Sequence, residues 1–335
     1  MASSAAPPSP FHPGECAIQE RLGVRDKVEA AGGRVLRDYM PEQHRSFFAQ
    51  LPFIVVGSVD AAGRPWASLV AAPPGFVQSP DEHTLVVRAR PPAADPLSSS
   101  LAVGASLGLL GIELPTRRRN RANGTVVAVD AGGFRVRIEQ SFGNCPKYIQ
   151  RRTPRIVSAG APAQAWTFES GGGLDPWSRR LIAAADTLFV ASYVDLPHRG
   201  EKLDPPHGGE KRTVDVSHRG GKPGFVRVGD DRTLTIPDFV GNFLFNTLGN
   251  LLLNPRAGVV IADFGTGDML FLSGVTEIVW NGPEVASFAG AQRLWRLRPV
   301  AGFGLRAALP LRAELEELSP NLERTGGWNS FVSRP

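Results

Sequence analysis

The sequence predicts a mainly β chain of the α+β class, in which one β-domain occurs twice behind an N-terminal helical arm. Three observations predict it. Short apolar runs alternate with turn residues at close intervals, the pattern of a barrel or sandwich. Glycine (37) and proline (29) are abundant while tyrosine and methionine number three each, which suits strands and turns better than a helical bundle. A collinear set of segments also recurs. Ser68, Pro74-Gly75-Phe76-Val77 and Thr84-Leu85 return as Ser217, Pro223-Gly224-Phe225-Val226 and Thr233-Leu234, displaced by 149 positions. Gly108, Thr116 and Gly124-Thr125-Val126 match Gly258, Thr266 and Gly274-Val275-Thr276 at a displacement of 150. Upstream, Ser58-Val59-Asp60 corresponds to Tyr193-Val194-Asp195 at 135, so the second copy carries about 14 extra residues before Ser217. Solenoid repeats run ~20–50 residues, so a period this long marks duplicated domains.

Residues 1–42 form the arm: an Ala/Ser/Pro-rich start, then one or two amphipathic helices between Glu15 and Tyr39, ended by Pro41. The first β-domain spans 43–160. It opens with a short helix from Gln43 to Gln50 and the strand Phe53 to Val59. A turn at Asp60-Ala61-Ala62-Gly63 and strands from Arg64 to Ala72 and Thr84 to Ala89 follow. The second spans 161–335. After Trp280 a helix (Pro283 to Gly290) precedes closing strands at Leu294 to Arg298 and Ala308 to Leu315.

The net charge of +5 and pI near 9.6 permit phosphate-bearing ligands without indicating DNA binding. Two cysteines, Cys16 and Cys145, exclude a disulfide framework or a multi-cysteine zinc site and fit a reducing cytoplasm. No stretch reaches the roughly 20 apolar residues of a membrane span, and no signal peptide opens the chain, so a soluble cytoplasmic protein is expected.

The chemistry concentrates between Asp215 and Gly258. A strand carries Ser217, His218 and Arg219 into the run Gly220-Gly221-Lys222-Pro223-Gly224. A second strand (Thr233 to Ile236) then leads to a helix whose first turn presents Asn242, Asn246 and Thr247, with Pro255 at its end. Unpaired N–H groups at a helix start favour an anion, above all a phosphate. The first copy has RPPAADPLSSSLAVGASLG in the corresponding place, without asparagine, so its site is expected to be degenerate.

Together DVSHRGGKPGFV, FNTLGNLLLNPRAG and SFGNCPKYIQ resemble the pyridoxamine 5'-phosphate oxidase-like split-barrel flavoproteins, in their tandem, flavin-nucleotide-binding branch, over roughly Phe11 to Gly326. The resemblance implies two tandem antiparallel six-stranded split β-barrels forming a pseudo-dimer, with FMN, or a deazaflavin or FAD, in the groove between them. It implies an FMN-dependent oxidoreductase acting on a small molecule; the alternative is a non-catalytic flavin-binding or reductase-scaffold protein. By resemblance Asn246 and Thr247 stand where relatives carry an Arg-Lys phosphate clamp, and Asn250 one turn on is a further flavin contact. Ser217, His218, Arg219, Lys222, Gly224 and Phe225 hold phosphate and ring, and Arg219 or Lys222 supplies the charge that the clamp lacks. No reductase follows the second copy, so a separate flavin or ferredoxin reductase or a diffusible reductant is expected. No nucleic-acid or membrane partner is expected, and a homodimer is compatible with the sequence.

His218 is a candidate acid/base group, and Cys145 a candidate redox thiol in a loop where Asn144 and Lys147 reach the cofactor. Arg117 to Arg121 reads as a solvated basic turn. His198, His207 and His218 lack a compact metal-ligand spacing, so no metal is expected. The extra segment before Ser217 is expected to act as a lid.

Overall fold

The computed structural model describes residues 9–158, 163–169, 173–197 and 210–328. The arm holds two helices, α1 (Pro13–Arg21) and α2 (Arg25–Val35), separated at Gly23, whose φ is +65°. A capping box starts α1: the His12 ring accepts the Gly14 N–H and Glu15 accepts the His12 N–H. Pro41 does not end α2, which stops at Val35; it precedes α3 (Glu42–Ala49).

The first sheet comprises β1 (Phe53–Val59), β2 (Pro65–Ala71), β3 (Val77–Asp81) and β4 (Thr84–Val87). After the short helix α4 (Pro96–Ser100) come β5 (Ser106–Glu113), β6 (Arg118–Asp130) and β7 (Gly133–Asn144). All pair antiparallel in the order β2-β1-β5-β6-β7-β4-β3. The β1–β2 turn forms as its residues dictate: Gly63 takes φ +72° and Asp60 Oδ1 accepts the Ala62 and Arg64 N–H groups. Short strands β8 (Arg151–Arg152) and β9 (Arg155–Ile156), then β10 (Ala163–Glu169) and α5 (Pro176–Ala184), lead to the second sheet.

That sheet comprises β11 (Thr187–Pro197), β12 (Glu210–Gly220), β13 (Arg227–Val228) and β14 (Leu234–Phe239), then α6 (Asn246–Leu253), β15 (Arg256–Ala262) and β16 (Met269–Val279). A short helix α7 (Pro283–Ala286) precedes β17 (Ala291–Arg306). Its order, β12-β11-β15-β16-β17-β14-β13, repeats the first sheet strand for strand, with β10 added on β17. The chain is therefore a tandem pair of split-barrel-like domains. Each sheet runs through seven strands rather than the expected six, because the short edge strands β3 and β13 extend it. The segment beyond Leu294 is one long strand, β17, since its hairpin partner β16 is long enough to pair throughout. Residues 308–315 hold only β18 (Leu311–Arg312) and the start of β19 (Leu315–Glu317), which pair with β9 and β8.

Strand register refines the repeat. Gly57 faces Gly108 as Ala191 faces Gly258, and Val56 faces Ser68 as Val190 faces Ser217. The β1-to-β11 displacement is thus 134, one less than the sequence suggested, and the second copy carries 15 extra residues there. Most of them, 198–209, including His198 and His207 and the expected lid, lie outside the described residues.

The barrels meet across a pseudo-two-fold axis. A Cβ on Gly108 would lie 2.7 Å from the Val214 carbonyl oxygen and 2.8 Å from Asp215 Cα; one on Gly258 would lie 2.1 Å from the Pro65 oxygen and 2.7 Å from Trp66 Cα. Gly258 is the repeat of Gly108, and Val214 and Asp215 are the repeats of Pro65 and Trp66. The interface is self-complementary in the manner of a two-fold dimer. β1 is buried on both faces, which is why it reads as an unbroken apolar run. Ile54 and Val56 pack inside the first barrel while Phe53 and Val55 pack against Phe189 and Val260 of the second. Among the described residues no helix is long and apolar enough to cross a membrane.

Candidate functional site

A cleft opens where the start of α6 and the end of β12 meet β6 and the β7 end of the first barrel. Asp215, Ser217 and Arg219 share one face of β12 because side chains alternate along a strand. Arg121 reaches them from β6 of the other barrel. Its Nη1 donates to Asp215 Oδ1 at 2.8 Å and its Nη2 donates to Ser217 Oγ. Thr247 Oγ1 also donates to Ser217 Oγ, at 2.8 Å. Both acceptor positions of that hydroxyl are therefore taken and its one proton is left to donate. Asn123 and Asn250 complete the shell of Asp215, at 2.7 and 3.4 Å.

Positive charge exceeds negative in the cleft. Asp215 is paired with Arg121, and Asp238 with Arg293 at 2.9 Å, which leaves Arg219 a 3.8 Å contact to Asp238. Arg119 touches no carboxylate among the described residues. Its Nε donates to the Cys145 carbonyl at 2.8 Å, its Nη2 lies 3.5 Å from Cys145 Sγ, and its Nη1 lies 3.4 Å from His218 Nδ1. Burial above all lowers the pKa of both Arg119 and Arg219, and repulsion from neighbouring guanidiniums, Arg121 among them, adds to it. The Nε groups of Arg121 and Arg219 and the Asn144 amide nitrogen are buried without partners. A buried cationic surplus with orphaned donors is chemically suited to hold an anion.

The start of α6 is open toward this charge. Its cap residue, Phe245, sits at φ +62° and provides no side-chain acceptor. Phe243 (φ +63°) and Tyr148 (φ +66°) also adopt left-handed backbone, an arrangement that bulky residues hold only under constraint from their surroundings. These residues form two lips held together across the cleft. Tyr148 OH and Lys147 Nζ donate to the Val240 carbonyl at 3.2 and 3.5 Å, and Asn242 Nδ2 donates to Asn144 Oδ1 at 3.2 Å. The cavity between the lips is about 90 Å³. That admits a phosphate-sized group, whereas pockets for larger ligands measure about 300–1,000 Å³.

Of the residues that the sequence singled out, Ser217, His218, Arg219, Asn246, Thr247, Asn242, Asn144, Cys145 and Lys147 converge on the cleft. Asn242 does so from the loop rather than from the helix, which starts four residues later than the sequence suggested. Lys222 turns away and donates to the Thr325 carbonyl at 2.9 Å. Phe225 is core, in contact with the second barrel's interior, and Gly224 serves the adjoining turn at φ +85°. Asn250 is fully buried and donates to Ser192 and Asp215. His218 is buried against Phe189; burial first, then the charges of Arg119, Arg219 and Arg152, push its pKa well below the ordinary 6.5. Among the described residues no group of three or more His, Cys, Asp or Glu side chains is placed to hold a metal.

Two residues of the cleft differ from the sequence expectation. Arg119 and Arg121 are not part of a solvated turn; they lie on β6, and Arg121 is 5% exposed. The signal was present in the Arg-x-Arg-x-Asn alternation of 119–123, which puts three donors on one strand face.

The symmetry-related cleft is filled. Repeats of Arg119, Arg121 and Asp215 are Met269, Phe271 and Trp66, which pack together with Phe303. The Phe271 and Phe303 rings stack at 4.6 Å, and Trp66 lies 5.7 Å from Phe303. There the helix start is closed by its own residue: Asp95, the repeat of Phe245, caps α4 and accepts the Ser68 hydroxyl at 2.5 Å and the Leu97 N–H at 2.9 Å.

The family described as pyridoxamine 5'-phosphate oxidase matches residues 40–168, the first barrel. No curated protein matches the chain. Solved structures similar to it include a candidate pyridoxamine 5'-phosphate oxidase from Lactobacillus delbrueckii, 16% identical, covering 32% of this chain and 95% of its own, with a TM-score of 0.26. HupZ of Group A Streptococcus is 13% identical over 39% of this chain and 98% of its own, with a TM-score of 0.28. HutZ, the heme storage protein of Vibrio cholerae, is 18% identical over 39% and 97%, with a TM-score of 0.24.

Proposed function

We propose that this chain is a pyridoxamine 5'-phosphate oxidase-like protein whose cleft binds the phosphate of FMN, and that it is an FMN-dependent oxidoreductase. The observation that carries the reading is the free proton of Ser217. In the first barrel the equivalent hydroxyl, Ser68, donates to the Asp95 carboxylate, and the same carboxylate accepts the helix-start N–H of Leu97. In the second barrel the chain provides Phe245 instead, so an anion bound there would meet the Ser217 hydroxyl, the start of α6 and the arginine surplus together. A phosphate monoester supplies that charge and several acceptors.

Arg119, Arg121, Arg219, Ser217 and Thr247 would hold the phosphate, and Tyr148, Phe239 and Phe243 offer aromatic surface for the ring once the lips part. Bound FMN would supply the hydride or electron chemistry. The protein's own part is to desolvate, orient and neutralise. Burial and then the surrounding guanidiniums favour the neutral form of His218, which suits a base or hydrogen-bond partner better than an acid. That same observation favours the second reading, a flavin-binding protein without turnover of its own or a scaffold for a separate reductase.

Titration of the purified protein with FMN and with riboflavin tests the proposal. FMN should bind at least about 100-fold more tightly, since charge-assisted hydrogen bonds each contribute about 1.5–3 kcal/mol. Equal affinity for the two would sink it, as would a visible spectrum showing a Soret band instead of flavin bands. Reduction of bound FMN by NADH or NADPH and reoxidation by an acceptor separates the two readings.

A further inference from the structure

Glu15 is buried (4% exposed) in α1, on the arm, and belongs to no catalytic or binding role assigned above. α1 packs across α6 at a point where both helices carry glycine: a Cβ on Gly14 would lie 2.2 Å from the Gly249 oxygen, and one on Gly249 would lie 2.7 Å from the Glu15 side chain. Asn246, the first residue of α6, donates to Glu15 Oε1 at 2.5 Å, and the His12 N–H donates to Oε2 at 3.0 Å. Gln19, one turn on, donates to the Leu244 carbonyl at 3.4 Å. The arm therefore grips the residues on both sides of the Phe245 cap.

Among the described residues no lysine or arginine pairs with Glu15. Asp215 on β12 faces it as a second carboxylate, and Arg121 on β6 is already joined to Asp215 and Ser217. His12 on the arm lies 3.6 Å away, and its pKa is lowered by burial. α6 brings no titratable side chain at all. Beyond Asp215 the adjoining cavity is edged by the Glu139–Lys211 pair and by Arg212, which is paired with Asp195.

We propose that Glu15 is a positioning residue for the cleft: its buried carboxyl, held between Asn246 Nδ2 and the His12 N–H where α1 crosses α6, seats the arm on the start of α6 and so fixes Asn246 and Thr247, and ionisation of that carboxyl unseats the arm and loosens the anion site. Burial, and then Asp215, raise the Glu15 pKa from its ordinary 4.5 to about 8. An acid whose pKa is raised on docking favours the docked state fully below 4.5, loses that advantage as pH climbs, and reaches a plateau above about 8. His12 acts with the opposite sign and only below its ordinary 6.5. The window that belongs to Glu15 alone is therefore pH 6.5 to about 8. The docking half stands without any cofactor; the effect on the cleft rests on the reading of that cleft as a phosphate site.

Hydrogen–deuterium exchange of residues 13–21 in the full chain, corrected for intrinsic rates, reads the docking directly. Protection should fall about tenfold per pH unit between 6.5 and 8 in the native protein and stay level in Glu15→Gln. A level native profile overturns the inference even if the variant does not fold, and so does a variant that falls like the native chain. Affinity for sulfate, a phosphate-shaped dianion whose charge is constant over the same range, reads the positioning. It should weaken with pH in the native protein and hold in the variant, and an affinity indifferent to pH, or absent altogether, overturns the positioning role. Sulfate binding that follows pH in the native protein while FMN fails to bind would instead remove the flavin reading and leave this inference standing.

Discussion

Ser68 and Asp95 make, inside the first barrel, a 2.5 Å hydrogen bond whose counterpart the second barrel cannot form. Ser217 repeats Ser68, but the place of Asp95 is taken by Phe245, a residue with no acceptor and an unfavourable backbone conformation. The duplication thus yields one helix start capped by its own carboxylate and one with no side-chain cap. Each barrel contributes to the open site: the second brings Ser217, Arg219 and α6, and the first brings Arg119 and Arg121.

Removal of the donor hydroxyl gives the most direct prediction. Ser217→Ala should weaken FMN binding about 10- to 100-fold, the value of one hydrogen bond to a charged group. Arg219→Ala should act in the same direction, with a smaller salt dependence than the native protein. Lys222→Ala should leave affinity unchanged, because Lys222 is committed to the Thr325 carbonyl. Fluorescence titration reads all three.

Ligand stoichiometry should be one FMN per chain, although two barrels of one topology are present. The second position is occupied by Trp66, Met269, Phe271 and Phe303. Calorimetric titration giving two sites per chain would contradict the account of the filled cleft.

Asp95 makes stability depend on pH. Burial raises its pKa from 3.8 to about 7, so its contribution is intact below 3.8 and is lost as pH rises to about 7. Asp95→Asn keeps one oxygen able to accept both Ser68 Oγ and the Leu97 N–H, yet cannot ionise. The variant should therefore match the native protein near pH 4 and exceed it in melting temperature above pH 7. Parallel melting curves across that range would refute the assignment.

The paired glycines predict paired effects. Gly108→Ala and Gly258→Ala each push a methyl group into the backbone of the opposite barrel, at 2.7 and 2.1 Å from a carbonyl oxygen. Overpacking of this kind costs about 1–3 kcal/mol or more. Denaturant unfolding should show both variants destabilised, the second more than the first, whereas Gly33→Ala, with nothing near its Cβ, should be close to neutral.

Local pattern made much of this protein legible. The collinear repeat, the Asp60–Gly63 turn, the break before α3 and the strand carrying Ser217 to Arg219 all follow from period, turn chemistry and proline, which act over a few residues. The helix starts four residues beyond Asn242 because its cap is Phe245 in a left-handed conformation, which no capping pattern in the sequence announces. Lys222, Gly224 and Phe225 were drawn into the expected site by their closeness in sequence to Arg219. Yet the turn carries them past the cleft: Phe225 lies in the core and Lys222 turns to Thr325.

By itself the sequence determined that one β-domain is present twice, where its strands run, and that the second copy holds the polar helix start. Only the tertiary structure decided that the first barrel supplies Arg119 and Arg121, that Asp95 closes one site and leaves the other open, and that aromatic side chains fill the symmetry-related cleft. The reason is physical. Periodicity reports which face of a strand a residue occupies, but not which surface meets that face. The bonds from Arg121 to Asp215 and Ser217 join positions 94 and 96 residues apart, brought together only when two barrels dock.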